Sequence, residues 1–184
     1  MSISILRRLA VATAFSLTAV LVPLSAATAD AASCPVVWGS VPRSAGIMHQ
    51  QHLVDVRSGQ HACFDRIVVD LAGGTPSGYA VRYVPEVRAQ GTGDVIALRG
   101  GAWLEVTVLA PAHDDRGRAT YVPANPNELV DVTGHATLRQ VAWGGSFEGQ
   151  STLGVGVRAR LPYRVFVLDD GATSRLVIDV AHQW

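Results

Sequence analysis

Two stretches carry most of the side chains whose types and spacing could do chemistry. Gly144 to Gly149 reads GGSFEG, which has the small residues and serine of a nucleophile turn, but G-x-S-x-G needs glycine where Glu148 stands. Acyl transfer loses its signature there, and a glycine-rich connection between two strands remains. Trp143, Phe147 and Glu148 on or beside it pair aromatic surface with a carboxylate, which suits contact with a glycan; Trp143 also suits a core. The second stretch, VRARLPYR, supplies Arg158, Arg160 and Arg164. The first two alternate along a predicted strand and so share a face. Such a stripe can hold carboxylates or phosphates through bidentate forks, or it can pair with Asp169, Asp170 or Glu148 on a solvated surface.

Metal chemistry has weaker support. HACFD places His61, Cys63 and Asp65 on one strand face, and HQQH sets His49 and His52 three apart. Neither is a zinc spacing. His113, Asp114 and Asp115 fall in a long irregular stretch, residues 112 to 126, without the spacing or oxygen count of a calcium loop. The expectation is no metal, no cofactor and no catalytic set.

The elements that must position these residues read as all-β. Short apolar runs alternate with turn clusters such as GGTPSG, QGTGD and DDGATS, and 3.6-residue periodicity is almost absent. Strands are predicted near Leu53 to Arg57, Cys63 to Leu71, Tyr79 to Val87, Val95 to Leu98 and Trp103 to Leu109. Others are predicted near Leu138 to Trp143, Thr152 to Arg160, Tyr163 to Leu168 and Arg175 to Ala181. NPNELV, Asn125 to Val130, has the N-cap and following proline of one short helical turn. Two strands nearly repeat each other: RIVVDLA from Arg66 and RLVIDVA from Arg175. Each puts three aliphatics on one face and Arg, Val and Asp on the other. Antiparallel pairing in register at Val68 and Val177 sets Arg66 opposite Asp179 and Asp70 opposite Arg175, whereas parallel pairing juxtaposes like charges.

Bulk properties bound the remainder. Residues 1–29 have the three parts of a secretory signal: Arg7 and Arg8, an apolar run from Leu9 to Leu24, and Ala27-Thr28-Ala29 at the cleavage site. The run is too short for a comfortable membrane span. Cleavage removes two arginines and no acid, taking 15 basic against 15 acidic residues to 13 against 15. A near-neutral chain excludes strong non-specific binding to nucleic acid or anionic lipid. The remaining length, about 155 residues, suits one domain. Cys34 and Cys63 are predicted to form one disulfide after export; lipid on Cys34 is the alternative.

The run from Val56 through HACFDRIVVDL, LRGGAWLEV, RQVAWGGSFEGQSTLGVGVRARLPYRVFVL and RLVIDVA to Trp184 resembles the AMIN-like domain. That domain is related to the AMIN domain of bacterial N-acetylmuramoyl-L-alanine amidases and other cell-envelope proteins. The resemblance implies a single-domain β-sandwich of two small, mainly antiparallel sheets over residues 50–184, after a lead-in at 30–49. It implies no catalytic residues. The function expected is a secreted, non-catalytic envelope protein binding peptidoglycan or an attached wall polymer, with Trp143, Phe147, Glu148, Arg158 and Arg160 as contact residues. The alternative is an adaptor that binds another envelope protein; a hydrolase stands behind both.

Overall fold

A computed structural model describes residues 34–184, and the signal sequence expected at 1–29 lies outside the described residues. Eleven strands follow in chain order: β1 (Arg43–Ala45), β2 (His52–Gln60), β3 (Phe64–Ala72), β4 (Tyr79–Val84), β5 (Val87–Arg88), β6 (Val95–Ile96), β7 (Ala102–Val108), β8 (Leu138–Phe147), β9 (Gln150–Val157), β10 (Tyr163–Asp169) and β11 (Thr173–Ala181). They form a five-stranded sheet, β1-β4-β7-β9-β8, and a four-stranded sheet, β10-β11-β3-β2, with β5 and β6 as a separate small hairpin. All pairings are antiparallel. The two large sheets pack face to face, as the all-β sandwich reading requires.

Alternation explains the core. Ile67, Val69 and Leu71 from β3 and Leu176, Ile178 and Val180 from β11 point inward, against Leu104, Val106 and Val108 of β7 and Leu153, Val155 and Val157 of β9. Each is essentially inaccessible. The repeated strands are neighbours in the predicted register, with Val177 opposite Val68, Asp179 opposite Arg66 and Arg175 opposite Asp70.

Several boundaries differ from expectation, each for a local reason. The run predicted from Tyr79 to Val87 breaks at Val84, because Pro85 lacks an amide proton and constrains the residue before it. The strand predicted to reach Arg160 stops at Val157; the Arg158 amide leaves the ladder to donate to the carbonyl of Thr137. Arg158 and Arg160 therefore share no strand face. GGSF belongs to β8, through a register shift between Trp143 and Ser146, and the connection to β9 shrinks to Glu148 and Gly149. Their φ angles of 50° and 79° make a tight two-residue hairpin turn. No helix occurs among the described residues. The helical turn expected at Asn125 to Val130 is a pair of turns, since the Asn125 carboxamide accepts the Asn127 amide (3.0 Å) and its carbonyl accepts that of Glu128 (3.2 Å).

The predicted disulfide joins Cys34 to Cys63, with Cα atoms 5.4 Å apart. It ties the lead-in to the start of β3, and Tyr163 continues the attachment. Its amide donates to the Gly39 carbonyl (3.0 Å), and its buried hydroxyl donates to that of Val41 (2.7 Å), with the Val81 carbonyl at 2.8 Å.

Candidate functional site

The outer face of the β10-β11-β3-β2 sheet gathers charge and aromatic surface in rows set by strand register. Arg164 on β10 lies opposite Asp179 on β11, which lies opposite Arg66 on β3, which lies opposite Gly59 on β2. Arg66 grips the fully buried Asp179 carboxylate with two bonds, Nε to Oδ1 at 2.6 Å and Nη2 to Oδ2 at 2.9 Å. Arg164 Nε reaches the same Oδ2 at 2.8 Å. Two guanidinium groups thus share one carboxylate, and the row keeps one net positive charge. Hydrogen bonds to Asp179 raise the pKa of Arg66 above its ordinary value.

Aromatic rings wall this row. The Arg164 guanidinium sits 4.4 Å from the centroid of Trp38 and 5.4 Å from those of Phe64 and Phe166; that of Arg66 sits 5.2 Å from Phe64 and 5.7 Å from Phe166. Trp38 meets Phe64 edge-on, and His61 stacks on the same ring at 4.5 Å. Cation–π attraction holds the planar guanidinium groups in place with little loss of hydrogen-bonding capacity. Arg164 spends only its Nε on Asp179, its side chain is 42% exposed, and its terminal nitrogens make no hydrogen bond to described residues. A carboxylate or phosphate can dock there, with a sugar ring against Trp38 or Phe166.

A further row places Leu168, Arg175, Asp70 and Asp55 side by side. Here register and ion pairing part company: Asp70 is gripped by Arg57 from β2, at 2.6 and 2.7 Å, while Arg175 turns to Asp170 at 2.7 Å.

The residues singled out in the sequence occupy other places. Trp143 is half-buried on β8, edge-to-face with Tyr121 at 5.4 Å. Phe147, 51% exposed, and Glu148 form the hairpin tip. Arg158 and Arg160 lie past the other end of β9, about 25 Å away at the usual rise per residue. Arg158 bonds the His182 carbonyl. Arg160 bonds the Ser40 hydroxyl and carbonyl (3.2 and 3.0 Å) and covers the ring of Tyr83. The structure therefore sets Trp143 against Tyr121 on β8, Phe147 and Glu148 together at the hairpin tip, and Arg158 and Arg160 beyond the far end of β9, so the five are not gathered into one site.

His61, Cys63 and Asp65 do not share a face. β3 begins at Phe64, His61 stacks on the outer side, and Asp65 turns inward to accept the Thr137 and Leu138 amides and to meet His182 Nε2 at 3.0 Å. Asp114 is held by its own loop, accepting from the Arg116 and Arg118 amides and the Arg118 side chain, which together lower its pKa. No group of three or more His, Cys, Asp or Glu among the described residues could hold a metal. Trp38, Phe64 and Phe166 escaped the sequence reading. Their signal was aromatic and Arg two apart, Phe64 with Arg66 and Arg164 with Phe166, on strands that pair with the repeated ones.

Comparison with curated proteins finds no match, and comparison with solved structures finds none. The family model of the AMIN-like domain matches residues 51–182, which takes in all four strands of the arginine-aromatic sheet; this chain belongs to that family of cell-envelope domains.

Proposed function

We propose that this chain is a secreted, non-catalytic binding module for peptidoglycan or an attached wall polymer, and that its ligand lies on the outer face of the β10-β11-β3-β2 sheet. The observation that carries this reading is the Arg66–Asp179–Arg164 row with Trp38, Phe64 and Phe166 around it. It supplies fixed cations for stem-peptide carboxylates or polymer phosphates and flat apolar surface for sugar rings. Export by the leader at residues 1–29 is part of the proposal, and the Cys34–Cys63 bond fits a non-cytoplasmic, oxidising compartment. Trp143 on β8, Phe147 and Glu148 at the hairpin tip, and Arg158 and Arg160 at the opposite end rank behind this face. These places are separated, and the two arginines already hold backbone carbonyls.

Co-sedimentation with purified sacculi tests the reading. Wild-type protein pellets with the wall; Arg164→Ala and Trp38→Ala each weaken binding about tenfold, the worth of one charge-assisted hydrogen bond or one aromatic contact. Phe147→Ala serves as the comparison and leaves binding nearly unchanged. Wild-type protein that stays in the supernatant sinks the wall-binding reading, and loss confined to Phe147→Ala moves the ligand to the hairpin tip.

A further inference from the structure

The two large sheets have four edges, and the described residues close or shorten three of them. Along β8, the Leu129 amide donates to the Val141 carbonyl (2.8 Å) and the Trp143 amide to that of Pro126 (2.6 Å). Along β2, Leu53 donates to Pro111 (2.8 Å), Ser58 Oγ to the Asp131 carbonyl (3.2 Å) and Gln60 Nε2 to that of Gly134 (3.0 Å). β1 has only three residues. A short edge gives little template for another strand.

β10 is different. Pro162 accepts from the Ala181 amide and Asp170 donates to Thr173, so the even-numbered peptide groups of this strand face β11. Odd-numbered ones face away: Tyr163 spends its amide on Gly39 of the lead-in, while Val165, Val167 and Asp169 have no backbone partner there among the described residues. Beside this open edge the outer side chains run Arg164, Phe166, Leu168 and Asp170. Leu168 is 38% exposed.

We propose that β10 pairs antiparallel with β10 of a second copy of this chain, about a two-fold axis at Val167. In that register Val167 meets its counterpart and Val165 meets Asp169 of the second copy, so all three free peptide groups on each side find partners, in about six hydrogen bonds. Outward, Arg164 falls opposite Asp170 of the second copy and Phe166 opposite Leu168, both twice by symmetry. Neighbouring registers fail. An axis at Phe166 needs the Tyr163 amide, which Gly39 already holds, and sets Arg164 against Leu168. An axis at Leu168 sets Phe166 against Asp170, and one at Asp169 opposes two aspartates. The lead-in stops at Tyr163, where the self-complementary segment begins. Pairing would extend the four-stranded sheet across both copies and place two arginine-aromatic faces side by side, so a polymeric ligand would meet two sites with one effective concentration.

Sedimentation velocity of the purified protein across a concentration series, with amide hydrogen exchange on the same samples, tests this. The expected result is a monomer–dimer equilibrium in which exchange at Val165, Val167 and Asp169 slows as dimer accumulates. Leu168→Lys, at an exposed site, weakens association at least about tenfold, and Asp170→Lys does the same by facing Arg164 with a like charge. A monomer at every concentration overturns the proposal. So does a dimer indifferent to both substitutions, or one whose edge amides exchange as fast as in the monomer. Protection of these amides only on adding another envelope protein also overturns it, in favour of an adaptor strand.

Discussion

Replacing Asp179 by asparagine would leave Arg66 and Arg164 facing each other across a neutral, buried amide. Both arginines retain some access to water, so the expected loss is about 3 kcal/mol, at the lower end for removing one member of a buried ion pair. Urea unfolding measures it, and Arg66→Ala costs less in the Asp179→Asn background than in wild type if the three act as one unit. Tyr163 gives a pH signature. Burial is the largest cause pushing its phenol from 10.0 up to about 12, so the folded chain holds the proton where the unfolded chain releases it. Its contribution is complete below pH 10 and is lost as pH climbs toward 12, by about 2–3 kcal/mol. Tyr163→Phe removes this alkaline step, at a neutral-pH cost of about 1 kcal/mol for the lost hydrogen bond; denaturant midpoints across that range check both.

Among the elements, β9 shows how side-chain absence positions a neighbour. A Cβ at Gly156 would lie 1.9 Å from the Arg99 carbonyl oxygen, and one at Gly154 would lie 2.9 Å from Leu98. The segment before β7 rests on the bare outer side of β9, which is why this strand is buried on both faces. Gly156→Ala is expected to cost about 3 kcal/mol or more, since backbone must move rather than a side-chain tip; thermal unfolding reads it. At the β8–β9 turn the sign reverses: Glu148 holds φ 50° as a residue with no special tolerance for it, and Glu148→Asn should raise stability by about 1 kcal/mol. The pairing of β3 with β11 was legible because alternation sorted the faces and like charges excluded the parallel arrangement. Asp70 does lie opposite Arg175 as expected, but its bond to Arg57 was not legible, because nothing in the two repeats says which third strand lies beside them. The arginine-aromatic face stayed hidden for the same reason. Trp38, Phe64, Arg164 and Phe166 come from three separated segments, and only the strand order β10-β11-β3 makes them one surface.

For the molecule as a whole, the Cys34–Cys63 bond closes a loop of 29 residues in sequence separation, worth about 3–4 kcal/mol on the chain-entropy account. It also holds the lead-in where Trp38 covers Arg164. A Cys34→Ser, Cys63→Ser double variant is therefore expected to lose that stability and, on the proposed wall-binding function, some affinity as well, because Trp38 would have to be ordered anew on each binding event. Calorimetry and sacculus binding of the same variant separate the two effects.

The strand order also bears on how the molecule assembles. β11 lies between β10 and β3, so the eleventh strand of the described residues is an interior strand of its sheet. Without Thr173–Ala181, β10 has no neighbour in that sheet and β3 lacks its partner on one side. The four-stranded sheet therefore cannot be completed from its two hairpins alone: β11 has to find β3 across all the strands between them. That β3–β11 contact spans more than a hundred residues, and a fold that depends on such pairing forms in milliseconds to seconds rather than microseconds.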